Sequence, residues 1–76
     1  MTTLSTARSS FMLQITHNPE SDELTVVMKN GARYKYYGVT KQKFARFKSA
    51  ASFGSYFATH IRGKYPVRRT RKANAN

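Results

Sequence analysis

Cysteine is absent from this 76-residue chain. Neither a disulfide framework nor a thiolate zinc site is therefore open to it. No apolar run approaches ~20 residues, which excludes a membrane-spanning helix. The N-terminus has one arginine and no apolar h-region, so no secretory signal is expected and a cytoplasmic location is the default. Acids are the scarcest charged groups: Glu20, Asp22 and Glu23 are the only three, all in one four-residue window. Histidine occurs twice, as His17 and His60. Metal-dependent nuclease chemistry needs converging carboxylates, and these three sit in one turn, far in pattern from the basic residues. No nucleophile motif or phosphate loop appears. A non-catalytic protein is expected, with no metal, no cofactor and no small-molecule substrate.

What the chain does have is positive charge. Its 14 Lys and Arg against three acids give a net charge of +11. Only Arg8 precedes Leu24, so thirteen of the cations follow it with no carboxylate among them. Such an excess points to an anionic partner, nucleic acid first. No basic amphipathic helix with a broad lipid-facing stripe supports a membrane surface. A chain this short makes one small domain with a marginal core and no deep cleft.

The stretch from Leu24 to Gly38 organises the fold. Two β-branched and aromatic runs flank Lys29-Asn30-Gly31, a hairpin signal. A two-residue turn would mix Leu24, Val26 and Met28 with Arg33 and Lys35 on one face. A three-residue loop with Gly31 in the left-handed position pairs Met28 with Ala32, Val26 with Tyr34 and Leu24 with Tyr36. One face is then apolar and aromatic, because side chains alternate along a strand. The opposite face carries Thr25, Val27, Arg33, Lys35 and Tyr37.

Residues 1–8 read as a flexible arm and residues 67–76 as a disordered basic tail. Between them, Phe11–His17 is a first strand whose apolar residues do not alternate cleanly. Asn18–Asp22 is a turn. Thr40 caps a helix from Lys41 to about Ser49. Ser52 caps a second, running to about Arg62 and ended by Gly63 and Pro66. Phe53, Tyr56, Phe57, His60 and Ile61 form its apolar stripe, so His60 is read as a core residue rather than a base or ligand. Gly54 marks a close backbone approach. The expected architecture is α+β, a three-stranded antiparallel meander followed by two helices on one face, β-β-β-α-α.

Several motifs occur in a fixed order: Ser9-Ser10, Asn18-Pro19, the Lys-Asn-Gly turn, Tyr34 to Val39, Ser49 to Phe57, and Ile61 to Pro66. Together they resemble the KTSC domain, named for its place at the C-terminus of some lysyl-tRNA synthetases and also found alone in bacterial and phage proteins. The resemblance spans residues 9–66. It implies a small α+β domain and, by association with the synthetase, RNA binding. Two positions depart from the family pattern: Ala51 stands where proline is usual and Ala58 where asparagine is usual. The segment Thr40–Lys48 is also more basic than in the family.

The candidate nucleic-acid contacts are Arg33, Lys35, Tyr37, Lys41, Arg46, Arg62, Lys64, Arg68, Arg69, Arg71 and Lys72. Tyr37, on the cationic face, either stacks a base or packs on the next loop. Tyr34 and Tyr36 share the face of Leu24 and Val26 and are read as core. Lys41 lies in a first helical turn, where the dipole disfavours a cation by ~0.3–1 kcal/mol, so local stability does not account for it. Arg62 and Lys64 either complement a helix end or contact phosphate. Arg68, Arg69, Arg71 and Lys72 have no structural role in this reading and fit non-specific phosphate contact. The favoured function is non-catalytic binding of RNA or another nucleic acid. The alternative is a small regulator, of a kind phages make, that docks on a host machine such as RNA polymerase near its RNA exit or the ribosome.

Overall fold

The structure is a computed structural model that describes residues 1–70. Five strands form one antiparallel sheet in sequential order: β1 (Thr2–Ser5), β2 (Met12–Asn18), β3 (Glu23–Met28), β4 (Arg33–Tyr37) and β5 (Val67–Thr70). Helix α1 (Lys41–Lys48) and helix α2 (Phe53–Tyr56) lie between β4 and β5 in the chain. The helix α2 runs on into a π-helical segment, Phe57–Ile61. The helices cover one face of the sheet; among the described residues no helix covers the other.

The central hairpin has the three-residue loop. Leu24 pairs with Tyr36 and Val26 with Tyr34, and the Met28 amide donates to the Ala32 carbonyl at 2.8 Å. Gly31 has φ of 93°, a left-handed value that glycine adopts without a Cβ penalty. The register puts Leu24, Val26 and Tyr36 in the core and Arg33 outside.

Strand β2 explains its irregular pattern. Its pairing with β3 shifts between Met12 and Gln14, so Leu13 is the extra residue of a β-bulge and is 45% exposed. Met12, Ile15 and His17 then all point inward, which no strict alternation from Phe11 would allow.

The segments read as a flexible arm and a disordered tail each contain a strand. The expected flexible arm, residues 1–8, contains β1, paired to β2 from Thr2–His17 to Ser5–Gln14. The Thr3 and Thr16 hydroxyls lie 3.0 Å apart, and Leu4 packs against the core. The expected tail, residues 67–76, begins with β5, paired to β4 from Tyr36–Val67 to Arg33–Thr70. The cause is shared: the outer edges of β2 and β4 carry unpaired N–H and C=O groups, and a nearby extended segment satisfies them whatever its hydrophobicity. The sheet therefore has five strands rather than three, within the same α+β class.

Both helix caps form. The Thr40 hydroxyl accepts from the Lys43 amide at 3.3 Å, and Ser52 accepts from Ser55 at 3.3 Å. Phe44 and Phe47 of α1, with Phe57 and Ile61, close the core over Ile15, Leu24, Val26 and Tyr36. Gly54 does mark close approach: a Cβ there would lie 3.2 Å from Phe11 and 3.3 Å from the Ser9 hydroxyl.

The reading of His60 as a core residue is corrected. His60 is exposed, its ring against Tyr56 at 4.4 Å. The Arg62 amide bonds to the Phe57 carbonyl, an i→i+5 closure. That wider turn advances each residue by less than the α-helical angle, and the stripe keeps Phe57 and Ile61 but loses His60. The buried histidine is His17, 2% exposed. Its Nε2–H donates to the Val39 carbonyl at 2.7 Å, and its ring stacks on Phe44 at 4.5 Å. A His17→Leu substitution keeps the bulk and strands that carbonyl. It should cost about 1–3 kcal/mol, read as a lower midpoint in urea unfolding; an unchanged midpoint would mean that water replaces the missing donor.

Candidate nucleic-acid interface

Alternation along β4 and β5 sorts the candidate cations. Arg33, Lys35 and Tyr37 take the uncovered face, and Arg68 joins them because it is the direct cross-strand partner of Lys35. Lys35 and Arg68 are like charges placed opposite one another, an arrangement that destabilises a sheet. One acid relieves it in part. Glu23 Oε1 lies 3.6 Å from Lys35 Nζ, so the acidic turn is not remote from the basic face as its sequence position suggests. Strand pairing of Glu23 with Tyr37 carries it there. Tyr37 itself is half-buried, beside Glu23 on this face.

The remaining candidates lie elsewhere. Arg69 falls on the helix-covered side, its guanidinium 5.8 Å from the centre of the Tyr34 ring. Lys41 and Arg46 are exposed on α1, across the sheet from Arg33 and Lys35. Their helix neighbours Lys43 and Lys48 sit over aromatic rings, Lys43 Nζ 5.9 Å from Tyr65 and Lys48 Nζ 5.5 Å from Phe44. Arg62 and Lys64 are exposed where the π-helical segment ends. Arg71 and Lys72 lie outside the described residues. The structure thus gathers Arg33, Lys35, Tyr37 and Arg68 on one face and separates them from the cations of α1 and of the helix end.

Tyr34 and Tyr36 are both on the inner face, but not equally. Tyr36 is 4% exposed, its ring edge-on to Phe57 at 5.6 Å. Burial pushes its phenol above the usual tyrosine range; nearby Tyr34 adds to the rise and Arg62 opposes it. Tyr34 is only half-buried. The sequence reading missed Lys29, which lines an inner-face groove with these tyrosines and Arg62. Its place in a turn gave no hint of that neighbourhood.

A larger groove, about 930 Å³, runs between the segment after β1 and the start of α2. It is lined by Ser9, Ser10, Ser52, Gly54 and Ser55, with Ala51 and Ala58 among them. These are motif residues of the family resemblance together with its two departures. Two of the hydroxyls are engaged locally. Ser9 Oγ accepts from the Phe11 and Met12 amides, each at 3.2 Å, and Ser52 caps α2. The serines thereby set a turn and a helix start. Among the described residues no three His, Cys, Asp or Glu side chains cluster to hold a metal. No helix among them is long and apolar enough to cross a membrane.

The KTSC domain model matches residues 8–65. A crystal structure of a KTSC domain protein from Yersinia pestis superposes with a TM-score of 0.82 at 29% identity, covering 91% of this chain and 96% of that one. No curated protein matches significantly. The motif order, the five-stranded sheet with its helical cover and the extent of both matches agree: the chain belongs to the KTSC domain family.

Proposed function

We propose that this protein binds nucleic acid without catalysis, RNA in preference to DNA, through the uncovered face of β4 and β5 and the basic segment that follows. The observation that carries the reading is the cross-strand pair of Lys35 and Arg68 beside Arg33. Lys35 and Arg68 are like charges set side by side on an open face, with Glu23 beside Lys35, in a chain of net charge +11. A row of phosphates relieves that repulsion and gains entropy from released counterions. The face is a sheet surface with one half-buried tyrosine and no helix exposed on it to enter a DNA major groove. It suits a single strand, whose bases are free to splay.

A glutamine scan tests it. Replacing Arg33, Lys35 or Arg68 singly should weaken binding to an oligouridylate strand by similar amounts, about 1 kcal/mol or less each. Lys41→Gln and Arg46→Gln, on the opposite layer, should have smaller effects, and Tyr37→Ala a loss of roughly 1–3 kcal/mol if a base stacks there. The docking alternative is favoured by Leu13, which the bulge leaves 45% exposed. A protein interface concentrates its energy in a few residues. A steep scan, with one position abolishing activity and the others silent, would replace the nucleic-acid reading with a regulator that docks on a protein machine.

A further inference from the structure

On the inner face the helical layer stops short of the β3–β4 turn. It leaves a groove of about 560 Å³ walled by Phe11, Tyr34, Tyr36 and Phe57, with Lys29 and Arg62 at its rim. That volume falls in the ~300–1,000 Å³ range of small-ligand sites. Three properties coincide there. Aromatic surface is left uncovered: Tyr34 is half-buried and Phe11 is 37% exposed, in a domain too small to leave rings idle. Polar groups face the opening, because neither tyrosine hydroxyl has a protein partner among the described residues and neither is a buried unpaired atom. Charge is uncompensated as well. Arg62 and Lys29 meet no carboxylate among those residues, and the acidic turn lies at the other end of β3.

A ligand that answers all three has a flat apolar face, polar atoms at its edge and a negative charge close by. We propose that the groove holds one unstacked nucleotide of a single strand, its base against Phe11 and Tyr34 and its phosphate between Arg62 and Lys29. This deepens the nucleic-acid reading and rests on it. The two surfaces meet at the sheet edge. In β5, Arg68 faces the uncovered side and Arg69 the groove side, over Tyr34. A strand that leaves the outer face across β5 reaches the groove with a cation on each side of the edge.

The chain has no tryptophan, so its fluorescence is tyrosine fluorescence, which a base beside Tyr34 quenches. The full chain is titrated with adenosine 5′-monophosphate and, in parallel, with an oligoadenylate strand. Saturable quenching by both is expected. Arg62→Gln should weaken the mononucleotide roughly tenfold, the weight of one charge-assisted contact. Tyr34→Phe should weaken it a few-fold with the ring kept, and Lys48→Gln, exposed on α1, should leave it unchanged. Oligoadenylate binding without any response to the mononucleotide overturns the groove and leaves the electrostatic interface standing. Response to the mononucleotide alone overturns the strand, since the groove would then serve a free nucleotide. Equal competition by inorganic phosphate removes the base from the proposal. Tighter binding of N-acetyltyrosine reassigns the groove to a peptide.

Discussion

Tyr36→Ala should destabilise the domain by about 3–5 kcal/mol, the cost of emptying a buried aromatic position. At roughly 0.05–0.15 kcal/mol per residue, that is a large share of the stability available to a chain of this size. The ring sits centrally in the inner face, paired with Leu24 across β3 and edge-on to Phe57. Its loss opens a void between sheet and helical layer that neither backbone can collapse to fill. The expected result is a largely unfolded protein at 37 °C by circular dichroism. Tyr36→Phe keeps the ring and should stay folded. It also isolates a pH effect. The folded-state phenol lies above its ordinary value because of burial, so the folded state holds that proton more tightly than the unfolded chain does. The resulting stability is full below the unfolded pKa of ~10 and is lost as pH rises through the higher folded value. Tyr36→Phe should therefore lose less stability than the parent between neutral and strongly alkaline pH. A Tyr36→Ala protein that melts like the parent but no longer binds RNA would place this side chain in the interface and not in the core.

Removing residues 67–76 should act on stability and on affinity together. The deletion takes Arg68, Arg69, Arg71 and Lys72, four of the 14 cations. Read as a disordered tail, it would leave the melting temperature in place. The structure changes that expectation, because β5 pairs along most of β4. Its loss bares the β4 edge and uncovers the Tyr34 ring beneath Arg69. At a cost of about 1–2 kcal/mol for the ladder and its packing, the melting temperature should fall by at least ~4–8 °C. Affinity for single strands should drop at all sequences alike. The slope of log affinity against log salt should shrink by roughly 0.7 for each phosphate that is no longer neutralised. A shorter deletion, residues 71–76, removes Arg71 and Lys72 and leaves β5. It should reduce the slope by roughly 1.4 with no change in melting. If the long deletion melts like the parent, β5 contributes nothing to the fold. If neither deletion changes the salt slope, the basic segment does not touch phosphate.

The hairpin was legible because its signals are local. Gly31 dictates a left-handed position, and the alternation from Leu24 to Tyr36 admits one loop length that keeps Arg33 and Lys35 out of the core. The caps at Thr40 and Ser52 were legible for the same reason. The β2 bulge was visible as an irregularity, yet only the pairing with β3 identifies Leu13 as its extra residue. The candidate site was legible by type and not by place. Charge and exposure mark Arg33, Lys41 and Arg62 alike, while strand pairing and layer assign them to three separate regions. Lys29 and Tyr34 became neighbours of Arg62 only through the packing of the helix end against the sheet.

The sequence by itself determined the hairpin register, the family, the absence of thiol chemistry and the strongly cationic character, since each follows from residue identity or short-range spacing. The tertiary structure alone decided that β1 and β5 exist, because their short polar or basic segments carry no periodic signal and are recruited by the unpaired edges of β2 and β4. It also decided which histidine is buried. The π-helical closure at Phe57 rotates His60 out to solvent, while His17, on the same face of β2 as Ile15, is covered by Phe44 and meets the Val39 carbonyl. Both outcomes depend on packing and hydrogen bonds that composition and spacing do not encode.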